Sequence, residues 1–155
     1  MLGTLDGGGD RTDPDPINRL SAKVNAVVAL MTPFDLARQR EHSGGVPEAL
    51  FVGASLDPYT SPTEVERRRY AAASPIIYVT ADDPPFLLFH GDKDAAVSDE
   101  QSRAMAAALD KAGVEAKLVV ISGGAHGRNF GLASADDRPA GYFVMITQWF
   151  AEHPK

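Results

Sequence analysis

Three short apolar runs constrain the fold of this chain most strongly. They are VNAVVAL at 24–30, PFLLF at 85–89 and KLVVI at 117–121. Each run is continuous rather than alternating, which is typical of strands covered on both faces. Helical segments lie between and after them. This order predicts an α/β fold, in which a three-stranded parallel sheet with right-handed crossovers carries flanking helices.

Capping patterns mark two of the predicted helices. In SPTEVERRRYAAA, Ser61 is the expected N-cap and Glu64 completes a capping box. In SDEQSRAMAAALDKAG, Ser98 and Gln101 form a second box, and Gly113 is the expected stop. Both segments are therefore predicted to be helices between strands.

A last helix is predicted over about 138–152, opening near Pro139. Phe143, Ile146 and Phe150 recur at helical spacing and share one face, with Tyr142, Met145 and Trp149 beside them. This helix is expected to follow the third strand and cover the sheet.

The first residues, MLGTLDGGGDRTDPDP, contain little that could be buried. Residues 1–19 are therefore predicted to be a flexible segment rich in glycine, aspartate and proline, and residues 20–155 to form one domain. The glycines do not form a phosphate-binding loop. That motif needs Gly-Lys-Ser/Thr after a strand, whereas here Gly9 is followed by Asp10.

Charge and composition exclude several classes of partner. The formal net charge of -6 gives no electrostatic reason to bind nucleic acid or an anionic membrane. No apolar run approaches the roughly 20 residues of a spanning helix, and no signal peptide is recognisable. The chain contains no cysteine, which excludes disulfides and thiolate metal sites. These features predict a cytoplasmic protein.

Two ionisable clusters follow predicted strands at the carboxyl edge of the sheet, where functional loops collect. Asp92 and Asp94 come directly after strand 85–89, and His126 lies in the loop SGGAHGRNF. A carboxylate bonded to one imidazole nitrogen leaves the other free to take a proton from a hydroxyl. The simpler alternatives are a turn-forming or helix-capping aspartate and a solvated histidine.

A metal site is the other chemistry to consider at this turn, because His90, Asp92 and Asp94 alternate. A calcium-binding loop of the EF-hand type would need an acid or amide at its fifth position and glycine at its sixth. Ala96 and Val97 stand there instead. We therefore expect neither a metal nor a cofactor.

The longer strings carry a family resemblance. SAKVNAVVALMTPFDL and ASPIIYVTADDPPFLLFHGDKDAAVSDEQSRAMAAALDKAGVEAKLVVISGGAHG together resemble the C-terminal half of α/β-hydrolases of the esterase and lipase branch, with kinship to prolyl-oligopeptidase-like domains. The resemblance covers about residues 20–152. HGDKDAAV looks like the family's catalytic-acid turn and implies that Asp94 is the acid. GAHG looks like its catalytic-histidine turn and implies that His126 is the general base.

The nucleophile of that family is not recognisable here. Neither the elbow G-x-S-x-G nor a His-Gly-Gly-Gly-type oxyanion segment occurs, and the look-alike GASLD at 53–57 ends in aspartate instead of glycine. MLGT resembles the end of the helix after the elbow, so the chain is expected to begin just past its serine. Residues that bind substrate are not identifiable.

Three functions stay open from the sequence. The first is an esterase-type half-domain with weak or partner-dependent activity on small esters. The second is a non-catalytic binding or structural module descended from such an enzyme. The third is weak hydrolysis in which His126 activates water or a serine such as Ser122 or Ser98.

The apolar run 24–30 also predicts association. In the family's sheet its neighbour would be the strand that carries the nucleophile, so without that neighbour the run presents an unpaired edge. We expect a homodimer through strand 24–30 that completes the sheet, or a partner that supplies the missing half.

Overall fold

The computed structural model describes residues 3–5, 7–55, 60–127, 130 and 141–154. The strands are β1 (Val27–Leu30), β2 (Phe86–Gly91) and β3 (Ala116–Ile121). The helices are α1 (Leu36–Ser43), α2 (Val46–Val52), α3 (Glu64–Ala73), α4 (Glu100–Ala112) and α5 (Tyr142–Glu152). Short 3₁₀ turns lie at Pro16–Arg19 and Pro75–Tyr78.

The three strands form one parallel sheet in the order β1-β2-β3, which confirms the predicted α/β fold. Strand β1 begins at Val27 rather than at the predicted position 24. The N–H of Val27 donates to the carbonyl of Pro85. Strand β2 runs past the predicted end at 89, because His90 and Gly91 pair with the last two residues of β3. The loops that follow β2 and β3 therefore begin at the same edge of the sheet.

Strand β2 is buried along its whole length, and its side chains alternate between two cores. Phe86 and Leu88 face a cluster that includes Met105 of α4. Leu87 and Phe89 face a second cluster that includes Trp149 of α5. Alternation along a strand therefore places α4 on one face of the sheet and α5 on the other.

The capping box of α3 lies two residues later than predicted. Thr63 is the N-cap, and its hydroxyl accepts from the N–H of Glu66 while the Glu66 carboxylate accepts from the N–H of Thr63. The prediction of Ser61 and Glu64 was wrong. The carboxylate of Glu66 also accepts from the N–H of Ser55, a contact with a more distant segment that favours this register.

The box predicted for α4 was also wrong, although its stop was correct. Asp99 is the N-cap and makes no side-chain cap bond. The Gln101 oxygen accepts instead from the N–H groups of Phe34 and Asp35, so it holds the loop after β1. Gly113 ends the helix in the left-handed conformation, with φ at 78°.

Helix α5 begins at Tyr142, and the start predicted near Pro139 lies outside the described residues. Its buried residues are Tyr142 and Trp149, which the prediction places beside the main stripe, and Ile146 of the stripe packs against the same cluster. Phe143 and Phe150 of that stripe are 59% and 49% exposed. Two large aromatic side chains are thus left on the outer side of this layer.

Helices α1 and α2 were not predicted, and they fill the connection between β1 and α3. Asp35 caps α1 by accepting from the N–H groups of Ala37 and Arg38, and Gly44 ends it at a φ of 77°. The buried Ser74 hydroxyl accepts from the N–H of Leu36, which anchors the start of α1 to the end of α3. These two helices lie beside the carboxyl edge of the sheet, where the candidate site is located.

None of the helices in the described ranges has the length and apolar character that crossing a membrane requires. Residues 7–22 form a loop closed by backbone bonds from Asp10 to Asn18 and from Ala22 to Gly7. The flexibility of residues 1–19 stays a prediction.

Candidate active site

Asp94 and His126 are joined by a hydrogen bond at the carboxyl edge of the sheet. The Oδ2 atom of Asp94 accepts from Nδ1 of His126 at 2.8 Å. The other oxygen, Oδ1, accepts from the N–H groups of Ala96 and Val97 at 2.9 and 2.8 Å. The Asp94 side chain is fully buried, whereas that of His126 is 46% exposed. The pair therefore has a fixed, buried acid and an imidazole that can be reached from outside.

The electrostatics of Asp94 favour its charged form. Burial acts to raise the pKa of Asp94, but the hydrogen bonds from Val97, His126 and Ala96 outweigh it and hold the pKa below the ordinary value. The ionised carboxylate can only accept, so Nδ1 of His126 carries the proton. In the neutral ring, Nε2 is then left with a free lone pair.

A close backbone contact brings the two loops together. A side chain at Gly91 would overlap the carbonyl of Gly124, and that carbonyl accepts from the N–H of Lys93 at 2.8 Å. Asp92 accepts from the N–H of Gly123 at 2.7 Å. Asp92 thus braces the loop after β3, and Asp94 is the carboxylate that reaches the imidazole.

Two glycines let the histidine loop turn. Gly123 and Gly127 have φ angles of 73° and 98°, a region that side-chain-bearing residues rarely adopt. Their positions on either side of His126 let this part of the loop turn tightly.

The side chain of His90 contacts the turn that carries Asp94. It is fully buried, with Nε2 2.9 Å from the carbonyl of Val97 and Nδ1 2.7 Å from the hydroxyl of Ser102. A carbonyl only accepts, so the proton lies on Nε2, and Nδ1 accepts from Ser102. Nε2 also lies 3.4 Å from Oδ2 of Asp94. Both ring nitrogens are used within the protein, which leaves neither for a metal ion in this arrangement.

A cavity of about 650 Å³ adjoins the pair, and His126 forms part of its wall. The end of β1 (30–33) and the acid turn (95–97) form two further sides. Helices α1 and α2 form another side with Gln39, Ser43, Pro47 and Glu48. A separate cavity of about 380 Å³ lies at the other end of the sheet, near Lys23 and Pro84, and shares none of these residues.

The candidate serines do not engage the imidazole. Ser98 lines a different recess, beside Arg38 and His42, and its hydroxyl accepts from the N–H of Glu100. Ser122 is exposed directly after β3. Within the described ranges, no donor or acceptor bonds to Nε2 of His126.

The sequence interpretation missed Gln39 and Glu48, which are buried in the cavity wall. The signal that could have found Gln39 is the pair of helix boundaries at Asp35 and Gly44. Between these, LARQREHS has too few apolar residues to show an amphipathic pattern.

Comparison with known families finds a match over more than half of the chain. The family model described as BD-FAE matches residues 7–109. Among curated proteins, Esterase LipQ of Mycobacterium tuberculosis is 54% identical over 44 residues, which is 28% of this chain and 10% of that protein. The probable isoprenylcysteine alpha-carbonyl methylesterase ICMEL1 of Arabidopsis thaliana is 25% identical over 114 residues, or 72% of this chain and 24% of that protein.

Two solved esterases share the fold over nearly the whole chain. The acetyl ester-xyloside bifunctional hydrolase of Caldicellulosiruptor lactoaceticus is 27% identical with a TM-score of 0.77, covering 97% of this chain and 50% of that one. A truncated form of a carbohydrate esterase from gut microbiota is 26% identical with a TM-score of 0.74, covering 98% and 54%. The chain thus spans about half the length of these enzymes and a quarter or less of the curated relatives.

Proposed function

Because this chain belongs to the BD-FAE family and has a partial α/β-hydrolase fold, we propose that it supplies the acid and the general base of a carboxylic-ester hydrolase. Asp94 orients His126, and Nε2 of His126 moves the proton. The observation that carries this proposal is the 2.8 Å bond between a fully buried carboxylate and an imidazole that lines a cavity.

The geometry fits a two-step acyl transfer. In the first step, a nucleophile hydroxyl attacks the ester carbonyl carbon and gives its proton to Nε2 of His126, while Asp94 stabilises the resulting imidazolium. The imidazolium then returns the proton to the leaving alcohol oxygen as the carbon–oxygen bond breaks. Water repeats the sequence on the acyl intermediate and releases the acid.

The nucleophile in this proposal comes from polypeptide outside residues 1–155. The pattern G-x-S-x-G is absent from the sequence, and Nε2 of His126 has no partner within the described ranges. Strand β1 pairs only with β2 in the described sheet, so its other edge is free to accept a further strand. A preceding segment, a second copy of the chain or another protein would pair there.

The missing nucleophile also favours a second candidate, a non-catalytic module. In that case the Asp94–His126 bond would only hold two loops together. Activity that depends on both residues separates the two candidates.

The test is hydrolysis of p-nitrophenyl acetate by the purified chain and its variants. The chain alone should hydrolyse it slowly at most and should not be labelled stoichiometrically by a fluorophosphonate probe. His126→Ala and Asp94→Asn should abolish that turnover, whereas Asp92→Asn, the matched control at the neighbouring carboxylate, should retain most of it. Full turnover in His126→Ala would contradict the proposal.

A further inference from the structure

A second imidazole lies against the carboxylate of Asp94. The Nε2 atom of His90 is 3.4 Å from Oδ2 of Asp94, the same oxygen that accepts from His126. The side chain of His90 is fully buried, whereas that of His126 is 46% exposed. The proposed reaction uses His126 alone, so a buried imidazole contacts the acid and has no assigned part in the chemistry.

His90 acts on Asp94 through the backbone of Val97. Nε2 of His90 donates to the carbonyl of Val97 at 2.9 Å. The N–H of Val97 in turn donates to Oδ1 of Asp94 at 2.8 Å. Burial raises the pKa of Asp94, and the bond from Val97 is the largest of the contacts that lower it. The position of Val97, which His90 holds at its carbonyl, therefore affects both the orientation and the charge of the acid.

The hydroxyl of Ser102 on α4 determines which tautomer of His90 is stable. It lies 2.7 Å from Nδ1 of His90, and Ser102 is 1% exposed. Met105 and Leu109 are buried on the same helix, so packing alone would be satisfied by an apolar side chain at position 102. A hydroxyl can donate to Nδ1, which leaves the ring proton on Nε2, where the carbonyl of Val97 requires it. Without that donor, Nδ1 would be a buried and unpaired acceptor.

From these contacts we infer that Ser102 and His90 are positioning residues for the acid. Ser102 selects the tautomer in which His90 donates to Val97. His90 thereby holds the carboxylate of Asp94 in the direction of His126. Because both of its ring nitrogens are bonded inside the protein, His90 takes no proton during the reaction, which leaves His126 as the general base. The inference rests on the proposed function for the chemical role of the Asp94–His126 pair.

The experiment is NMR of the isotope-labelled imidazole nitrogens in the intact chain without substrate. The nitrogen chemical shifts report the tautomer of His90, and the exchange rate of the Nδ1–H proton reports the bond from His126 to Asp94. The unaltered chain should show His90 protonated on Nε2 alone. In Ser102→Ala, His90 should no longer be confined to that tautomer. The His126 proton should then exchange with water at least about tenfold faster, because a hydrogen bond to a charged group is weakened.

Two further serine variants separate the effect of the hydroxyl from that of the helix. Ser102→Thr keeps a hydroxyl and should keep the single tautomer of His90. Ser98→Ala is the matched control at the start of α4. The hydroxyl of Ser98 accepts from the N–H of Glu100, and within the described ranges it bonds neither imidazole. This variant should leave the signals of both imidazoles unchanged.

A matched pair of substitutions tests His90 itself. Glutamine and methionine have similar length and volume, but only glutamine can donate a hydrogen bond to Val97. In His90→Gln the exchange of the His126 proton should stay within about threefold of that in the unaltered chain, whereas His90→Met should accelerate it at least about tenfold. Urea denaturation establishes that both variants are folded. If His90→Met does not fold, the Ser102 variants decide alone.

An unchanged tautomer and unchanged exchange in Ser102→Ala would overturn the inference. So would equal exchange rates in His90→Gln and His90→Met, since a role limited to packing predicts that result. The signals are read in the resting chain, so they are independent of the ester-hydrolysis test. Turnover that survived in His126→Ala would overturn the proposed function, whereas these NMR results would overturn the positioning role alone.

Discussion

Gly91 and Gly124 lie backbone against backbone, so closely that a methyl group on Gly91 would overlap the carbonyl of Gly124. This contact joins the end of β2 to the loop after β3. The spacing between Asp94 and His126 therefore depends on two residues that bear no side chains.

Substituting Gly91 with alanine should separate the loops. We expect the variant to lose about 1 to 3 kcal/mol of unfolding free energy, as overpacked sites do, and to weaken the Asp94–His126 bond. Urea denaturation measures the first effect, and the Nδ1–H proton signal of His126 reports the second. Gly113→Ala, which has a φ of 78° and no neighbour within 4 Å, should reduce stability without changing that signal.

Glu66 should make the stability of the chain acid-sensitive. Hydrogen bonds from the N–H of Ser55 and from the N–H and hydroxyl of Thr63 lower the pKa of Glu66 from 4.5 to about 2. A lowered folded-state pKa contributes stability above pH 4.5, and that contribution is lost as the pH falls toward about 2. In Glu66→Gln this part of the pH dependence should disappear. Equal acid slopes for the variant and the unaltered chain in denaturant titrations would contradict the assignment.

His153 should make the stability of the chain fall as the pH rises, which is the opposite of the effect of Glu66. Its Nδ1 donates to the carbonyl of Trp149 at 2.7 Å, and its Nε2 lies 3.3 Å from the Glu115 carboxylate. The bond to Trp149, and then the contact with Glu115, raise the pKa of His153 above 6.5, although burial opposes them.

A raised folded-state pKa contributes stability that is complete below pH 6.5 and is lost as the pH rises through the folded value. Thermal unfolding of the unaltered chain between pH 6 and 8 should show this loss, and His153→Gln should flatten it. His42→Gln, at an exposed position on α1, is the control and should leave the slope intact.

The edge of β1 that pairs with no strand in the described sheet should promote association. Val27 and Met31 direct their N–H groups to Pro85 and Phe89 of the neighbouring strand, so the N–H of Val28 points to the open side. Sedimentation at tens of micromolar should detect a dimer. Val28→Pro removes the outward donor and should disrupt it, whereas Val28→Ala keeps the donor and should not. A monomeric unaltered chain would rule out edge pairing.

The sequence could predict the parts of the fold whose patterns are local. Strand β2 is buried on both sides, so its apolar run is continuous, and Asp94 and His126 stand in short turns beside predicted strands. The capping box was misplaced because Ser61 and Thr63 are each followed three residues later by glutamate. The contact of Glu66 with Ser55, which is distant in sequence, favours the second.

The other wrong or missing predictions also depend on contacts between residues that are distant in the sequence. Gln101 looks like a capping residue, but its side chain bonds the backbone of Phe34 and Asp35, more than sixty positions away. Helix α1 depends on anchors such as Ser74 rather than on an apolar face of its own. A pattern within a short window cannot reveal either arrangement.

The connection between β1 and α3 has a consequence for how the cavity of such a domain can diverge among relatives. The acid and the histidine stand on the turns that follow β2 and β3, whereas Gln39, Ser43 and Glu48 stand on α1 and α2. The groups proposed to move protons and the polar groups that α1 and α2 contribute to the cavity wall therefore occupy separate stretches of the chain. Under the proposed function, exchanging residues 36–52 between relatives would change one side of the cavity and leave the turns after β2 and β3 in place.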